Sequence, residues 1–405
     1  MSSTAHVGAG QAAAGDLRIA PVADARALRT FIEFPFALYR NSPFWVPPFL
    51  EERRTFFDTR KNPFFEHARA QLFLAYRGGE VVGTVAACVD DSHNHFHNDR
   101  QGAFGFFETV DDPEVAGALL AAAEEWVRGQ GMAVIRGPLN FSINHEYGLL
   151  IDGFNESPMI LTTYNPPYYA RLIEGAGFVT AMNLFAYIGD LDDRWNNAPP
   201  KVFRVAEKVV KKEGIRVRKV DMRRFDEDVR RVRLVYDQAW SQLWDFVPIT
   251  DREAADVARQ LRQIIDPDLA FLAESADGEP IGVSVTLPDL NQALLRSGGG
   301  SMLSPNMLKF LWHRRSIDQA RLWAMGVVDA YRGRGIDAVF YVETARAALA
   351  KGYKRLEGSL ILENNVMMNR IIERLGGQRY KTYRLYEKHL EEVRSKKAHT
   401  ISHTS

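Results

Sequence analysis

An internal repeat restricts the fold of this sequence more than any other feature. The segment 73–83 contains Phe-Leu-Ala, Gly-Glu and a further Gly, and the segment 271–282 repeats this order 198 to 199 residues later. Both segments read as β-hairpins, in which two strands flank a glycine-containing turn. In each half an Asn then precedes a short helix, predicted at 168–174 and after Asn364, followed by Gly and a strand-like run. The chain is therefore predicted to fold as two copies of one unit.

Length and composition agree with two domains. The 405 residues exceed the ~250–300 that one core supports, and the alternation of strands and helices predicts an α/β fold. Each domain is expected to be a mixed central sheet flanked by helices. A linker is predicted at 190–200, where Asp, Asn and Pro cluster. We predict disordered ends at 1–15 and 393–405, a first domain at 16–195 and a second at 196–392.

Charge and cysteine content exclude several classes of protein. The 51 basic and 51 acidic residues cancel, so the chain lacks the basic excess typical of nucleic-acid binding. Cys88 is the only cysteine, which excludes an intrachain disulfide and fits a reducing compartment. No apolar run reaches the ~18 residues of a spanning helix, and the first residues lack the order of a signal peptide. The sequence predicts a cytoplasmic protein that does not bind nucleic acid.

The most informative segment is a glycine- and arginine-rich loop in the second half. The predicted strand 322–328 leads into the loop 332–336, which reads Arg-Gly-Arg-Gly-Ile, and then into a helix predicted at 337–351. A strand, a glycine turn and a helix start form an anion site, because free N–H groups and the positive helix end face the ligand. Arg332 and Arg334 can add charge-assisted hydrogen bonds.

This loop and its helix resemble the acyl-CoA loop of the GNAT superfamily of N-acyltransferases. The family pattern Arg/Gln-x-x-Gly-x-Gly/Ala is met at Arg332 and Gly335, whereas Asp337 departs from its last position. A later family motif, Asn followed by Gly-Phe, is matched by Asn365 and by Gly376, with a second glycine in place of the Phe. The resemblance implies two tandem GNAT-like domains, and its loop motif implies that the second binds acyl-CoA.

The resemblance also implies which residues contact the cofactor. In the family, the pantetheine arm pairs with the backbone of a splayed fourth strand, and the loop binds the phosphates. The implied contacts are Met325, Val327, Val328, Arg332, Gly333, Arg334, Gly335, Ile336 and Asn365. The first half has two acids and a proline at 111–113, where the loop would be, and is not expected to bind CoA. The expected co-substrate is acetyl-CoA or a longer acyl-CoA, with no metal.

The usual proton-handling groups of the family are absent from the second half. Ile372 replaces the Tyr that serves as general acid, and the strand 321–328 contains no acid. A shared site, completed by the fourth strand and the insertion 140–164 of the first half, is therefore predicted, with the last strand as the other source. The catalytic candidates are Glu108, His145, Glu146, Tyr380 and Tyr383, and the acceptor-binding candidates are Asn144, Tyr164 and Asn165. Turns and surface contacts are the structural alternative for these polar residues.

Three alternating histidines, His93, His95 and His97, allow two interpretations. On a strand they would share one face and could bind a metal. The intervening residues are mostly polar and favour a solvated loop, so no metal site is predicted.

Two apolar segments leave the acceptor class open. The aromatic segment 31–65 indicates either a core or an apolar groove for a long chain. The run 302–312, which ends in His313-Arg314-Arg315, suits a packed or an interfacial helix. The tandem layout, the segment 31–65 and the string Asn-Pro-Pro-Tyr-Tyr at 165–169 resemble the GNAT-like bacterial ceramide synthases. That resemblance implies a lipid amine acceptor, and the two apolar segments also allow peripheral membrane contact through a membrane-facing patch or an interfacial helix. A small-molecule amine acceptor, or a non-catalytic acyl-CoA sensor, is the alternative.

Overall fold

Thirteen strands form one mixed sheet in the computed structural model, which describes residues 15–191 and 200–390. The strands of the first half are β1 (Leu17–Pro21), β2 (Ala68–Arg77), β3 (Glu80–Asp90), β4 (Gln101–Thr109), β5 (Val134–Gly137), β6 (Leu139–Asn140), β7 (Glu146–Tyr147), β8 (Leu149–Asp152) and β9 (Val179–Asp190). Those of the second half are β10 (Arg216–Lys219), β11 (Ala270–Glu274), β12 (Pro280–Pro288), β13 (Gln319–Val327), β14 (Arg355–Leu362) and β15 (Gln378–His389). Only β6 and β7 lie outside this sheet, as a separate pair.

Helices connect these strands and cover the sheet. The first half contains α1 (Ala25–Leu38), α2 (Leu50–Phe56), α3 (Asp91–His97), α4 (Pro113–Gly129) and α5 (Tyr169–Gly175). The second half contains α6 (Pro200–Glu213), α7 (Phe225–Ala239), α8 (Asp251–Ile264), α9 (Asn291–Ser297), α10 (Pro305–His313), α11 (Ile336–Ala350) and α12 (Val366–Arg374). In the described ranges no helix is both long and apolar enough to cross a bilayer.

The last strand of each half pairs with the other half. The sheet order is β1-β2-β3-β4-β5-β15-β9-β14-β13-β12-β11-β10, with β8 also beside β15. β15 therefore lies between β5 and β9, and β9 lies between β15 and β14. The predicted α/β fold with helices around a mixed sheet is confirmed. The boundaries 16–195 and 196–392 stay predictions. Most of the predicted linker, residues 1–14 of the first predicted disordered end and all of the second lie outside the described residues.

The repeated elements form where the pattern predicts them. The two hairpins are β2–β3 and β11–β12, the predicted helix 168–174 is α5, and the helix 337–351 is α11. Gly78 and Gly79 join β2 to β3 with φ of 59° and 88°. Positive φ at both central residues is what a tight two-residue hairpin turn requires, and glycine adopts it without a steric cost.

The aromatic segment 31–65 belongs largely to the core. Phe31, Tyr39, Phe57 and Phe64 are buried in the first half, and Phe49 packs into the core of the second half. A central cluster joins this segment to β9 and β15 through Leu184, Tyr383 and Leu385, among others. Because these strands come from both halves, the two halves share a hydrophobic core as well as a sheet.

The three alternating histidines form helix α3, which corrects the expected solvated loop. The Asp90 carboxylate caps this helix by accepting from the N–H groups of Ser92 and His93. His93 is buried, and its Nε2 lies 2.9 Å from the carboxylate of Asp245 in the second half. His97 Nε2 lies 2.8 Å from the Phe246 carbonyl oxygen. These residues join the halves, and no group of three metal-ligating side chains occurs among the described residues.

A charged contact around His67 also crosses between the halves. His67 Nδ1 lies 2.9 Å from Asp90, and its Nε2 lies 3.1 Å from Glu253 at the start of α8. Burial acts to lower the pKa of His67, but the two carboxylates outweigh burial and raise it to about 10. A protonated imidazole between two carboxylates therefore stabilises the interface.

We expect His67→Gln to lower the free energy of unfolding by about 3 kcal/mol at pH 6, the scale of a broken buried ion pair. The pKa of His67 is raised above its unfolded value of 6.5, so its contribution is complete below that pH. The contribution is lost as the pH rises through about 10. Urea unfolding at pH 6 and at pH 10 measures the difference, which should shrink at the higher pH. The exposed His95→Gln variant is the control, and an equal loss in both variants would contradict the assignment.

Candidate active site

A V-shaped notch opens between β13 and β14 in the second half. The two strands are parallel neighbours from the pair Gln319–Arg355 to the pair Leu322–Gly358. Beyond that point β13 stays paired with β12, while β14 continues beside β9. No described strand pairs with the other edge of β13 from Trp323 to Val327. Met325 and Val327, two of the predicted pantetheine contacts, lie on this edge, and Val328 follows it.

The predicted phosphate loop lies at the wide end of the notch. Gly333 and Gly335 have φ of 71° and 89°, the left-handed region that glycine adopts most readily. Helix α11 begins at Ile336, and no side chain caps its first turn. Its first backbone N–H groups therefore lack a partner inside the helix, which is the arrangement that favours an anion.

The two loop arginines have different surroundings. Arg332 Nη2 donates to the Ala239 carbonyl at 2.6 Å, its Nε donates to the Val327 carbonyl at 3.3 Å, and its Nη1 lies 2.8 Å from Asp329. Arg332 thus holds the loop against β13 and α7. The guanidinium of Arg334 lies 4.7 Å from the ring centre of Tyr331, at the exposed tip of the loop. Of the two, Arg334 is the better placed to meet a phosphate.

The first half has the same notch, but its own chain fills it. β4 and β5 are parallel neighbours only from Gln101–Val134 to Ala103–Arg136. Beyond them, the Asn140 side-chain oxygen accepts from the Phe106 N–H at 2.7 Å. A Cβ atom on Gly105 would lie 1.8 Å from the Leu139 carbonyl oxygen. The backbone edge that a pantetheine amide would use is therefore already occupied.

The helix behind this filled notch is also capped. Asp112 accepts from the N–H groups of Glu114 and Val115 at 2.9 and 3.4 Å, and it pairs with Arg77. A carboxylate thus occupies the start of α4, where a phosphate would lie. That the first half does not bind CoA stays a prediction.

A buried polar network lies at the narrow end of the second-half notch. Arg321 of β13 and Glu357 of β14 are register partners and are almost fully buried. Arg321 Nε donates to Ser359 Oγ at 3.0 Å, and Ser359 Oγ donates to Glu357 at 2.8 Å. The Tyr380 hydroxyl donates to the second oxygen of Glu357. Two hydroxyl donors and a nearby guanidinium thus give this buried carboxylate its polar partners.

Sequence reasoning found Tyr380 but missed Arg321, Glu357 and the neighbouring Asp289. Burial raises the pKa of Asp289 to about 7, although its carboxylate accepts from the Ile160 N–H at 2.9 Å. The available signal was a charged residue inside each apolar strand run, at 319–327 and 355–362. The family pattern led us to expect an acid on β13, the fourth strand of the second half. The buried acid Glu357 lies instead on the next strand, β14.

A second carboxylate with tyrosine donors, the partly buried Glu108, lies in the first half. The hydroxyls of Tyr39 and Tyr169 donate to it at 2.6 and 2.8 Å. Burial raises the pKa of Glu108 to about 7, against the lowering effect of both hydroxyls and of Arg53. Arg53 in turn donates twice to Glu146, at 3.0 and 2.8 Å.

The structure therefore groups several of the predicted residues in the first half. The ring of Tyr164 lies 6.2 Å from that of Tyr39, so Glu108, Glu146 and Tyr164 surround one site. Four strands separate β4 from β13, which at ~4.8 Å spacing is on the order of 24 Å along the sheet. The C-terminal ends of β4 and β13 also point to opposite edges of the sheet. Glu108 consequently does not lie beside the second-half notch, whereas Tyr380 does.

Three other predicted residues have mainly structural contacts. His145 packs against Phe56 and Phe64 at ring distances of 5.1 and 5.3 Å, and burial lowers its pKa to about 4. The Asn165 amide accepts from the Leu150 N–H and donates to the Leu150 carbonyl. Asn365 caps α12 by accepting from a backbone N–H. These contacts give each residue a role in the fold without a ligand.

Asn144 connects the first-half insertion to the second-half notch. Its side chain donates to the Val247 carbonyl at 3.1 Å and accepts from the Tyr236 hydroxyl at 2.9 Å. Tyr236 stacks on Trp240, whose indole would lie 2.4 Å from a Cβ atom on Gly326. The insertion is thus linked through two aromatic side chains to the strand that borders the notch.

Comparison with known proteins identifies relatives along almost the whole chain. No protein-family model matches it. The chain is 37% identical over 385 residues to the bacterial ceramide synthase of Caulobacter vibrioides, which covers 93% of this chain and 98% of that protein. It is 35% identical over 369 residues to protein YghO of Escherichia coli, which covers 90% and 93%.

Solved structures share the fold at low sequence identity. A tandem GNAT protein from the clavulanic acid biosynthesis pathway has a TM-score of 0.52 and 13% identity, and the match covers 92% of this chain and 98% of that one. A GCN5-related N-acetyltransferase from Sphaerobacter thermophilus has a TM-score of 0.51 and 15% identity, with 92% and 95% covered. The expected tandem GNAT fold is confirmed. The full-length relatives show that the chain belongs to the bacterial ceramide synthase family, and its fold is that of tandem GNAT proteins.

Proposed function

We propose that the protein transfers an acyl group from acyl-CoA, bound in the second-half notch, to the primary amine of a lipid. The observation that carries this proposal is the contrast between the two notches. One has an unpaired strand edge and an uncapped helix, and the other is filled by Asn140 and capped by Asp112. Of the two notches in the described residues, one is therefore open to an acyl-CoA.

The notch offers a partner for each part of acyl-CoA. The phosphates bind the first N–H groups of α11 and Arg334, since an anion is favoured at a positive helix end. The pantetheine amides pair with the edge of β13 from Trp323 to Val327. The acyl carbonyl then lies near the narrow end, where β13 and β14 separate and a backbone N–H can polarise it.

The Glu357–Tyr380 pair handles the protons of the transfer. The amine nitrogen attacks the thioester carbon, so a C–N bond forms, the C–S bond breaks and the amine loses one proton. Burial and Glu357 raise the pKa of Tyr380, which keeps its hydroxyl protonated and able to donate to the leaving sulfur. Glu357 accepts the amine proton, and the products are an amide and free CoA thiol.

The lipid acceptor is supported by the relative that is named a ceramide synthase and by the surface beside the network. Tyr147, Leu360 and Leu362 are partly buried against the central cluster, as is Tyr380. Each methylene buried against such a surface contributes ~0.8 kcal/mol, so it selects long chains steeply. Asn144, which is linked to the notch through Tyr236 and Trp240, is our proposed contact with the acceptor from the first half.

The cofactor site is tested with Arg334→Ala. We expect CoA affinity to fall ~10- to 100-fold, because a hydrogen bond to a charged group contributes ~1.5–3 kcal/mol. Isothermal calorimetry with CoA measures the change. Arg171→Ala in the first half is the matched control, because Arg171 is an exposed arginine paired with Asp111. Unchanged CoA affinity in the folded Arg334→Ala variant would contradict the proposal that this loop binds the CoA phosphates.

The proton-handling pair is tested with Glu357→Gln and Tyr380→Phe. Both should lower the rate of thiol release ~100-fold or more, the scale of a lost acid or base, with CoA affinity unchanged. Glu108→Gln and His145→Ala are the matched variants of the first half, where the sequence placed the same role. A larger loss of the rate of thiol release in Glu108→Gln than in Glu357→Gln would assign proton transfer to the first half instead. CoA binding without thiol release from any amine by the wild type would instead indicate a sensor.

The acceptor class is tested by chain length. We expect a long-chain primary amine to be acylated with a far higher kcat/KM than a short water-soluble amine, because apolar burial increases with each methylene. Mass spectrometry of the amide product, with palmitoyl-CoA and acetyl-CoA in parallel, gives both preferences. Equal kcat/KM for long and short amines would leave a small-molecule acceptor as the function.

A further inference from the structure

An apolar tip projects from the end of the second half opposite the CoA loop. The segment 289–318 connects the end of β12 to the start of β13 and contains α9 and α10. The loop 328–335 follows the other end of β13. Nine residues of strand at ~3.3 Å each place these two ends about 30 Å apart.

The tip exposes large apolar side chains that a water-facing helix rarely carries. The exposed fractions are 94% for Leu303, 73% for Leu308, 70% for Trp312, 49% for Leu311 and 36% for Met302. The opposite face of α10 is fixed to the molecule, because Phe310 is buried and packs edge-on against Phe49 at 5.3 Å. The exposed residues are therefore an outer face of a packed helix, and they form one patch around a turn and α10.

The same segment carries charge of one sign. From 291 to 317 the sequence has no Asp or Glu and has four permanent cations, Arg296, Lys309, Arg314 and Arg315. Lys309, Arg314 and Arg315 are exposed beside the apolar side chains. The turn itself is held in place by Glu51, which accepts from Ser301 Oγ and the Met302 N–H, both at 2.8 Å. The patch thus combines an apolar centre with a basic rim on a rigid support.

We propose that this tip docks on the surface of a bilayer that contains anionic phospholipids. Leu and Trp side chains insert at the boundary between headgroups and acyl chains, and Lys and Arg beside them bind the lipid phosphates. Charge complementarity selects this occupant, because the exposed Lys309, Arg314 and Arg315 beside the apolar side chains match an anionic surface.

Docking also sets the side from which each substrate approaches the site, a consequence that rests on the proposed function. A lipid acceptor leaves the bilayer at the start of β13, near Phe49 and the central cluster. Acyl-CoA enters from the aqueous side at the other end of the same strand. The two substrates then meet at Glu357 and Tyr380 without crossing each other's path.

The test is co-sedimentation of the full chain with vesicles, without acyl-CoA. We expect binding to vesicles of phosphatidylcholine mixed with phosphatidylglycerol, and much weaker binding to phosphatidylcholine alone. The triple variant Leu303→Ser, Leu308→Ser and Trp312→Ser should lose on the order of 100-fold in partitioning. Arg314→Gln with Arg315→Gln should lose about 25-fold, and its remaining binding should depend less on salt.

The control carries Val179→Ser and Met367→Ser, which replace apolar side chains of similar exposure, 60% and 74%, elsewhere on the surface. It should bind like the wild type. Equal partitioning of the triple variant and the wild type, or no wild-type binding to anionic vesicles, would overturn the proposal. A wild-type dimer that the triple variant converts to a monomer, without vesicle binding, would assign the tip to a second copy of the chain. Turnover of a short soluble amine by the triple variant separates loss of docking from failure of the proposed function.

Discussion

The exchange of last strands between the two halves is the constraint on which the rest of the structure depends. β15 completes the sheet of the first half and β9 completes that of the second, so neither half closes its sheet alone. The side chains of these two strands also fill the central cluster. The network at Glu357 depends on this arrangement, because Tyr380 belongs to β15 while Glu357 belongs to β14, and β9 lies between them. Folding of the shared sheet therefore assembles the candidate site.

Duplication of one unit has produced two notches with different contents. In the first half, a short insertion after β5 returns into the gap and satisfies the backbone of β4 with an asparagine side chain. In the second half, the corresponding strand edge is left without a strand partner, and the additional residues lie instead between β12 and β13. An insertion in one place closes a ligand site, whereas an insertion at the other end of the strand leaves the site open and adds a new surface. One half thus provides structure and an aromatic surface, and the other provides the ligand notch.

The buried carboxylates show why the position of a charge matters more than its presence. Glu357 is a buried acid and Glu108 is a partly buried one, and both accept hydrogen bonds from tyrosine hydroxyls. Only Glu357 borders an open notch, while Glu108 lies beside the filled one. Their chemistry is similar, so the difference in the proposed roles comes from the strand on which each lies and from the edge toward which that strand runs.

The sequence by itself determined the repeat, the α/β class and the GNAT-type loop, because strand and helix periodicity and glycine turns are local properties of the chain. It also indicated Tyr380 and the aromatic core segment. It could not show that β9 and β15 change places, because strand order follows from packing between distant segments. For the same reason it did not identify Glu357 as the partner of Tyr380, and it could not show that four strands separate the strand of Glu108 from β13. Whether the side chains of His93 and Asn165 bind a ligand or stabilise the fold was likewise decided by their partners. These are Asp245, about 150 residues from His93, and Leu150, 15 residues from Asn165, and only the tertiary structure brings each pair into contact.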